Sequence, residues 1–325
     1  MKVLIIGLGS MGKRRIRLIK EMDDIELFGV DNNIQRCKEV SDVWGVECFN
    51  SLEEAFSFIR FDTAFVCTSP LSHANIIKSC LDNNLHVFSE INLVADGYSE
   101  NVHLAQQKGL VLFLSSTFLY REETKYIINR VKNKNSRLNY IYHVGQYLPD
   151  WHPWESYNKF FIGDSRTNGC REIMAIDMPW LWNAFGPIKS IKKLKSKNTN
   201  LNIDFNDNYL ILIEHRTGAK GVFAADVVTR NPIRHIDVFG EDLQLSWDGT
   251  PDSLLEYDFE KKRMLQKTLN EVSEHIDGYA TYITENPYRE EIKAFFSQIR
   301  TPSNVPAWDF EKDLVLLGVI DEIEA

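Results

Sequence analysis

The feature that most constrains this chain is the run Gly7-Leu-Gly9-Ser10-Met11-Gly12, because of what stands on either side of it. Before it, Lys2 to Ile6 is a short aliphatic, β-branched run of the kind a strand buried on both faces requires. After it, Lys13 to Met22 has the apolar spacing of a helix. A glycine pattern alone says little. Placed between a strand and a helix it predicts a dinucleotide-binding turn. Gly7 permits the tight turn, Gly9 lets the backbone approach a pyrophosphate, and Gly12 lets the helix pack close to the strand. The helix N-terminus, with Ser10 and Met11 beside it, then offers backbone N–H groups to the phosphates.

The second strand, Glu26 to Val30, ends at Asp31, nineteen residues after Gly12. An acid at that spacing meets the adenosine ribose hydroxyls, and its charge repels a 2′-phosphate, so NAD is expected rather than NADP. Arg36 is the one neighbour that argues the other way, since an arginine can accommodate that phosphate. Further strands are expected at Thr63 to Cys67, His86 to Ser89 and Val111 to Leu114, with a helix from Ala74 to Asn83. Strands alternating with helices predict an α/β class, a doubly wound parallel Rossmann sheet. Ligands bind beyond the carboxyl ends of such strands, which is where Thr68, His73 and Glu90 fall.

The totals narrow the partners. The net charge is −9, so neither a nucleic acid nor an anionic membrane is expected, since both need a basic face. The five cysteines form no C-x-x-C pair and no metal-ligand spacing, which points to reduced thiols in a cytoplasmic protein. No signal-peptide pattern and no apolar stretch near the ~20 residues of a membrane helix is visible. At 325 residues the chain is long enough for two domains, expected at 1–118 and 119–325.

These residues resemble the glucose–fructose oxidoreductase, inositol dehydrogenase and rhizopine-catabolism family, Gfo/Idh/MocA. Its carriers here are the three glycines, Asp31, the segment Val66-Cys-Thr68 with His73, and His86 to Glu90. The resemblance implies that His73 lies near the cofactor and that Glu90 orients the nicotinamide ribose or carboxamide. It also implies two departures. Family members continue the glutamate as Glu-Lys-Pro, whereas this chain has Ile91 and Asn92. Counting back from Gly186 puts Ile176 at the family's acid/base histidine and Pro179 at its aspartate, with Asp177 one residue off.

Beyond Arg121 the pattern changes. After a helix from Glu122 to Val131, strand-like runs at Leu138 to Leu148, Tyr209 to Glu214, Gly221 to Thr229, Ile236 to Phe239 and Leu243 to Trp247 predict an open, mainly antiparallel sheet in an α+β domain. Ile188 to Lys197 reads as an edge strand guarded by lysines, and Tyr288 to Ile299 and Phe310 to Ile323 as closing helices. The family places its oligomer interface on the free face of this sheet, which implies a homo-oligomer.

Gly145 to Tyr157 holds two Trp, two Tyr, a His, an Asp and a Glu, which suits a sugar: ring faces meet apolar C–H groups and acids bond hydroxyls. The segment resembles a loop in the family branch found with bacterial surface-sugar and nonulosonic-acid biosynthesis. Trp151 and Trp154 are therefore candidate substrate contacts, unless they simply plug a domain junction. Arg171 is a candidate to hold a carboxylate or phosphate of the substrate, and Glu172 beside it a further candidate substrate contact, the alternative being an internal ion pair of Arg171 with Glu172 or a neighbouring acid. The candidate bases are His152, Tyr157 and Asp177, with His152 favoured by its ordinary pKa. The expected function is NAD-dependent hydride transfer on a sugar, a nucleotide sugar or a nonulosonate-pathway intermediate. Two alternatives stay open: an NAD-binding protein without catalysis, supported by Ile91 and Ile176, and a reductase of another small molecule, as in biliverdin reductases.

Overall fold

The aliphatic runs of the N-terminal segment become strands stacked side by side. In the structure, a computed structural model that describes residues 1–134, 136–151, 156–269 and 284–325, the chain divides into two units. The first is Met1–Ser116 together with Tyr288–Leu314; the second is Thr117–Pro287 together with Val315–Ala325.

The first unit carries β1 (Lys2–Ile6), β2 (Glu26–Val30), β3 (Glu47–Phe49), β4 (Thr63–Val66), β5 (His86–Ser89) and β6 (Leu112–Leu114), all parallel, in the order β3-β2-β1-β4-β5-β6. The helices between them are α1 (Ser10–Ile19), α2 (Ile34–Trp44), α3 (Leu52–Phe58), α4 (Pro70–Asp82) and α5 (Tyr98–Lys108). Parallel strands need these crossovers and are buried on both faces, which is why β1 and β4 are nearly unbroken apolar runs. Local chemistry sets the helix ends. Asn33 caps α2 by accepting from the amides of Gln35 and Arg36, and Gly45 ends it in the left-handed region at φ 64°.

The sequence places a single division at 118, with both closing helices in the second domain. The structure differs. Most of the helix Asn286–Arg300 groups with the first unit. The cause is packing: Phe295 and Phe296 lie against Phe65, Phe88 and Phe113 of the sheet, with Phe65 and Phe295 centroids 5.3 Å apart and edge to face. Each buried aromatic of this kind contributes about 1.5–3 kcal/mol.

The second unit opens with α6 (Glu122–Lys132) and β7 (Asn139–Gly145), then α7 (Gly169–Phe185). The remaining strands are β8 (Ile188–Ser196), β9 (Asn208–His215), β10 (Lys220–Asp226), β11 (Ile233–Phe239), β12 (Gln244–Trp247), β13 (Leu255–Asp258) and β14 (Arg263–Gln266). Their order is β14-β13-β12-β11-β7-β10-β9-β8, and every pair is antiparallel except β7 with β10. The lysine-rich β8 is an edge strand, where charge blocks further pairing. Alternation puts Tyr140, Tyr142 and Val144 of β7 on the buried face. The closing helix of the chain, Phe310–Glu324, is divided between the two units at Leu314.

Candidate active site

The cofactor cradle is a row of strand ends. Ile6, Val30, Val66 and Ser89 are in register across β1, β2, β4 and β5, so the residues one step further, Gly7, Asp31, Cys67 and Glu90, line the carboxyl edge of the sheet. Each continues the ladder by one backbone bond: Gly7 N–H donates to Val30, Cys67 N–H to Ile6 and Glu90 N–H to Val66.

Each glycine of the turn has its own steric reason. Gly7 sits at φ 91°, and a Cβ there would come within 2.8 Å of the Cys67 carbonyl oxygen. A Cβ on Gly12 would lie 1.9 Å from the Gly7 carbonyl oxygen, so only glycine lets α1 approach β1. Gly9 differs from both: a Cβ there would meet nothing within 4 Å. Packing within the fold does not require a glycine at this position. Gly9 is also the N-cap of α1 and has no side chain with which to fill the helix N-terminus, and no acid stands in the first turn. That end is open to a phosphate. Ser10 and Met11 form this first turn.

Asp31 is buried, and the turn itself holds it. Leu8 N–H donates to its Oδ2 at 2.8 Å and Asn33 N–H to its Oδ1 at 2.9 Å, with the Arg36 guanidinium 3.6 Å away. The carboxylate is thus fixed beside the glycine turn before any ribose arrives. Thr68 is half-buried, and its Oγ1 accepts from Ser72 at 2.8 Å. His73 is buried on α4. Its Nε2 lies 2.9 Å from the Thr68 carbonyl and its Nδ1 2.5 Å from the Asn92 side-chain amide. The atom of that amide facing Nδ1 is Oδ1, while Asn92 Nδ2 donates to Ser89 Oγ at 3.4 Å. Burial pushes the pKa of the ring down. Asn92 is therefore a partner of His73, a role the sequence does not reveal.

Glu90 is committed inside the unit. Arg15 Nε donates to its Oε1 at 2.6 Å and Nη2 to its Oε2 at 3.1 Å. Arg15 Nη2 also reaches Glu291 at 2.9 Å, and the guanidinium lies 4.5 Å from the centre of the Phe88 ring. Burial works against the charge of Arg15, but the two carboxylates outweigh it and keep the side chain protonated. Burial pushes Glu291 up, opposed by Arg15 and by the Ser116 amide. The helix carrying Glu291 is thereby tied to the residue that ends β5.

In the second unit α7 organises the candidates. Asn168 caps it, accepting from Arg171 N–H at 2.8 Å. Pro179 stands inside it and deprives the Ala175 carbonyl of its usual amide. Asp177 is fully buried: its Oδ1 accepts from Tyr142, from Arg234 and, at 3.3 Å, from Trp180. Burial raises its pKa against the pull of Arg234. Arg234 also stacks on Phe118, its guanidinium carbon 4.3 Å from the ring centre.

Other candidates lie elsewhere. Arg171, expected to bind substrate, is instead paired with Asp321 at 2.6 Å and with Glu324, so the internal ion pair is what the structure displays. Tyr157 is half-buried, and its hydroxyl accepts from Asn202 N–H at 3.2 Å. Trp151 donates from Nε1 to the Gln146 carbonyl at 2.9 Å, and its ring lies 3.4 Å from where a Gly169 Cβ would stand. Glu172 is half-buried on α7, and its Oε2 is sealed from water without a hydrogen-bond donor. Burial pushes its carboxyl up to about 7. His152 and Trp154 lie outside the described residues.

Residues 1–116 match the profile of an oxidoreductase family with an NAD-binding Rossmann fold, GFO_IDH_MocA. That match covers 116 of the 325 residues of the chain. The sheet order, the glycine turn and the placed Asp31 of the first unit fit NAD. Matches to curated relatives cover about two fifths of the chain. Biliverdin reductase A of Mus musculus is 29% identical over 134 residues, 41% of this chain and 45% of that protein. The matched stretch thus spans less than half of that relative. Solved structures resemble the whole chain in fold. UDP-N-acetylglucosamine 3-dehydrogenase GnnA of Acidithiobacillus ferrooxidans is 15% identical with a TM-score of 0.77, covering 100% of this chain and 96% of that one. The WlbA dehydrogenase of Bordetella pertussis, solved with NADH and UDP-GlcNAcA, is 16% identical with a TM-score of 0.75, covering 99% and 95%. Ile91 and Ile176 are both half-buried, and neither side chain can carry a proton.

Proposed function

We propose that this chain is an NAD-dependent oxidoreductase acting on a CH–OH group of a sugar, in particular a nucleotide sugar. The observation that carries the reading is Gly9, a glycine the fold does not need at a helix N-terminus left open. That combination makes sense when a dinucleotide is bound and used. Gly9, Ser10, Met11 and the α1 N-terminus hold its pyrophosphate; Asp31 accepts from its adenosine ribose and favours NAD over NADP. Thr68, His73 and Glu90 belong to the nicotinamide end of the row. Bound NAD supplies a hydride acceptor, and the chain supplies a base for the hydroxyl proton. Two of the fold's relatives have names tied to UDP-sugars, which motivates that substrate class by analogy of fold.

The chain works as a homo-oligomer in the cytoplasm, on this reading. Its five cysteines are free thiols. Ile141, Leu194, Leu210 and Leu212 are exposed together on the face of the second sheet opposite Tyr142, an apolar patch that a second copy would cover. Sedimentation of the purified protein as a monomer at micromolar concentration would remove that part.

Ile91 and Ile176 favour a second reading, an NAD-binding member without turnover. The two are separated by offering NAD-loaded protein a panel of free sugars and UDP-sugars, including UDP-N-acetylglucosamine, and following the absorbance of reduced nicotinamide. The oxidoreductase reading expects a rise with one compound. A flat trace across the panel, from protein shown by fluorescence titration to bind NAD, turns the choice to the second reading.

A further inference from the structure

A substrate that carries a phosphate or carboxylate group needs a cation with free N–H donors. Arg171, the candidate for that task in the sequence, is taken up by Asp321 and Glu324. Other arginines of the second unit are engaged likewise: Arg121 with Glu123, Arg130 with Glu256 and Arg234 with Asp177. Arg230 differs from all four. It is exposed, no acid among the described residues pairs with it, and its guanidinium carbon lies 3.6 Å from the centre of the Tyr147 ring.

The backbone brings these two residues together. β7 and β10 run parallel with Gly145 opposite Asp226, so the loops after them leave one edge of the sheet side by side. Gln146 N–H donates to the Asp226 carbonyl at 3.3 Å and Leu148 N–H to the Val227 carbonyl at 3.0 Å, which flanks Tyr147 with two ties to the other loop. The Asp226 carboxylate holds that loop in shape. Its Oδ1 accepts from the amides of Val228 and Thr229 at 2.9 and 2.8 Å, and its Oδ2 from Thr229 Oγ1 at 3.1 Å, with His143 Nε2 2.7 Å away. Burial opposes the charge, but these partners hold the carboxyl below its ordinary value, so it stays an acceptor. Pro232 restricts the chain two residues beyond Arg230.

The stack decides what Arg230 can do. The ring covers the flat face of the guanidinium, whereas the N–H donors lie along its edge and remain available to a bidentate anion. An arginine already held against a ring on a fixed loop loses little freedom on binding. The same loops carry an apolar partner. Trp151 Nε1 donates to the Gln146 carbonyl at 2.9 Å, and the Trp151 ring and Val227 lie 3.4 and 3.0 Å from where a Gly169 Cβ would stand. A fork for an oxyanion and a ring for the C–H face of a sugar thus stand on two loops joined by backbone bonds. A structural role accounts poorly for Arg230, since it ties no acid and an exposed stack adds little to stability.

We infer that Arg230, presented on the Tyr147 ring, recognises the diphosphate of a nucleotide-sugar substrate. The inference rests on the oxidoreductase reading above for the class of substrate. Arg230 binds and orients; it takes no part in hydride or proton transfer.

The first arm of the test needs no turnover. Calorimetry of the NAD-loaded chain uses UDP, which carries the diphosphate without the sugar. Arg230→Ala should weaken UDP about 10- to 100-fold, with NAD affinity and thermal midpoint as in the wild type. Arg230→Lys keeps the charge but loses the fork and should recover only part of the affinity. Tyr147→Leu should act in the same direction by a smaller factor. Wild-type affinity for UDP should fall with salt more steeply than that of Arg230→Ala. Equal affinity for UDP in wild type and Arg230→Ala, or no binding of UDP to the wild type, overturns the inference. Sodium glucuronate, titrated in the same way, separates the two oxyanions: binding of glucuronate through Arg230 without binding of UDP replaces the diphosphate by a carboxylate and overturns the assignment.

The second arm follows NAD reduction with whichever UDP-sugar the panel identifies. Arg230→Ala should raise KM at least about tenfold and leave kcat within about threefold, the mark of an interaction made equally with substrate and transition state. An active enzyme whose KM does not depend on Arg230 overturns the inference and leaves the parent reading standing. UDP binding that depends on Arg230, in a protein that reduces no NAD with any compound, supports this site while defeating the parent reading.

Discussion

Glu90 and Glu172 are both glutamates withdrawn from water, and they are held in opposite ways. Glu90, in the first unit, lies under a two-pronged contact with Arg15, which also holds Glu291 and stacks on Phe88. Glu172, in the second, has an oxygen sealed from water with no hydrogen-bond partner among the described residues. The difference teaches that burial alone does not tell what an acid is for. A buried acid with a cation is a tie between elements; at Glu172 burial without such a cation among the described residues pushes the carboxyl up to about 7.

The largest break in this comparison comes from removing the cation. Arg15→Ala leaves Glu90 and Glu291 buried without their shared cation and should cost about 3–5 kcal/mol, read from chemical denaturation at pH 7.5. A loss under 1 kcal/mol would mean that the triad carries little weight. Its cost should shrink at low pH, where the two acids can protonate.

A smaller effect of opposite sign is expected at Glu172. In the folded chain its carboxyl keeps a proton to about pH 7, against 4.5 for the free group. Between those values the folded state binds more protons than the unfolded, so stability falls as pH rises through the window and stays reduced above it. Glu172→Gln removes this penalty and should stabilise the protein by about 3 kcal/mol at pH 8 and by almost nothing at pH 4. Equal effects at both pH values would show that the group does not titrate in this window.

The smallest change in stability, within about 0.5 kcal/mol, is expected for Gly9→Ala, because its new methyl meets no protein atom. The same variant should weaken NAD binding at least about tenfold by steric exclusion of the pyrophosphate. Unchanged affinity in a fluorescence titration would contradict the assigned use of Gly9.

The legibility of the molecule follows the same divide. The α/β class, the strands β1, β2, β4, β5 and β6, the helices α1 and α4, and the strand-end positions of Gly7, Asp31 and Glu90 are readable in the chain because their causes are local: glycines where a Cβ cannot stand, aliphatic runs for buried strands, an acid at the next strand end; α2, β3, α3 and α5 are not. The lysine-guarded β8 is readable for the same reason. Arg171 misleads, because the acids that claim it, Asp321 and Glu324, are some 150 positions away. The recruitment of residues 288–314 into the first unit is equally hidden, since a helix with an apolar stripe does not say which sheet it covers.

By itself, then, the sequence determined a dinucleotide-binding Rossmann domain and the short-range geometry of its turn, since turn sterics and strand patterning act over a few residues. Only the tertiary structure decided which acids are paired and which are not. That Arg15 would meet Glu90 and Glu291, and that Glu172 would meet no cation among the described residues, depends on packing between distant segments, and no local pattern encodes the partner a buried charge will find.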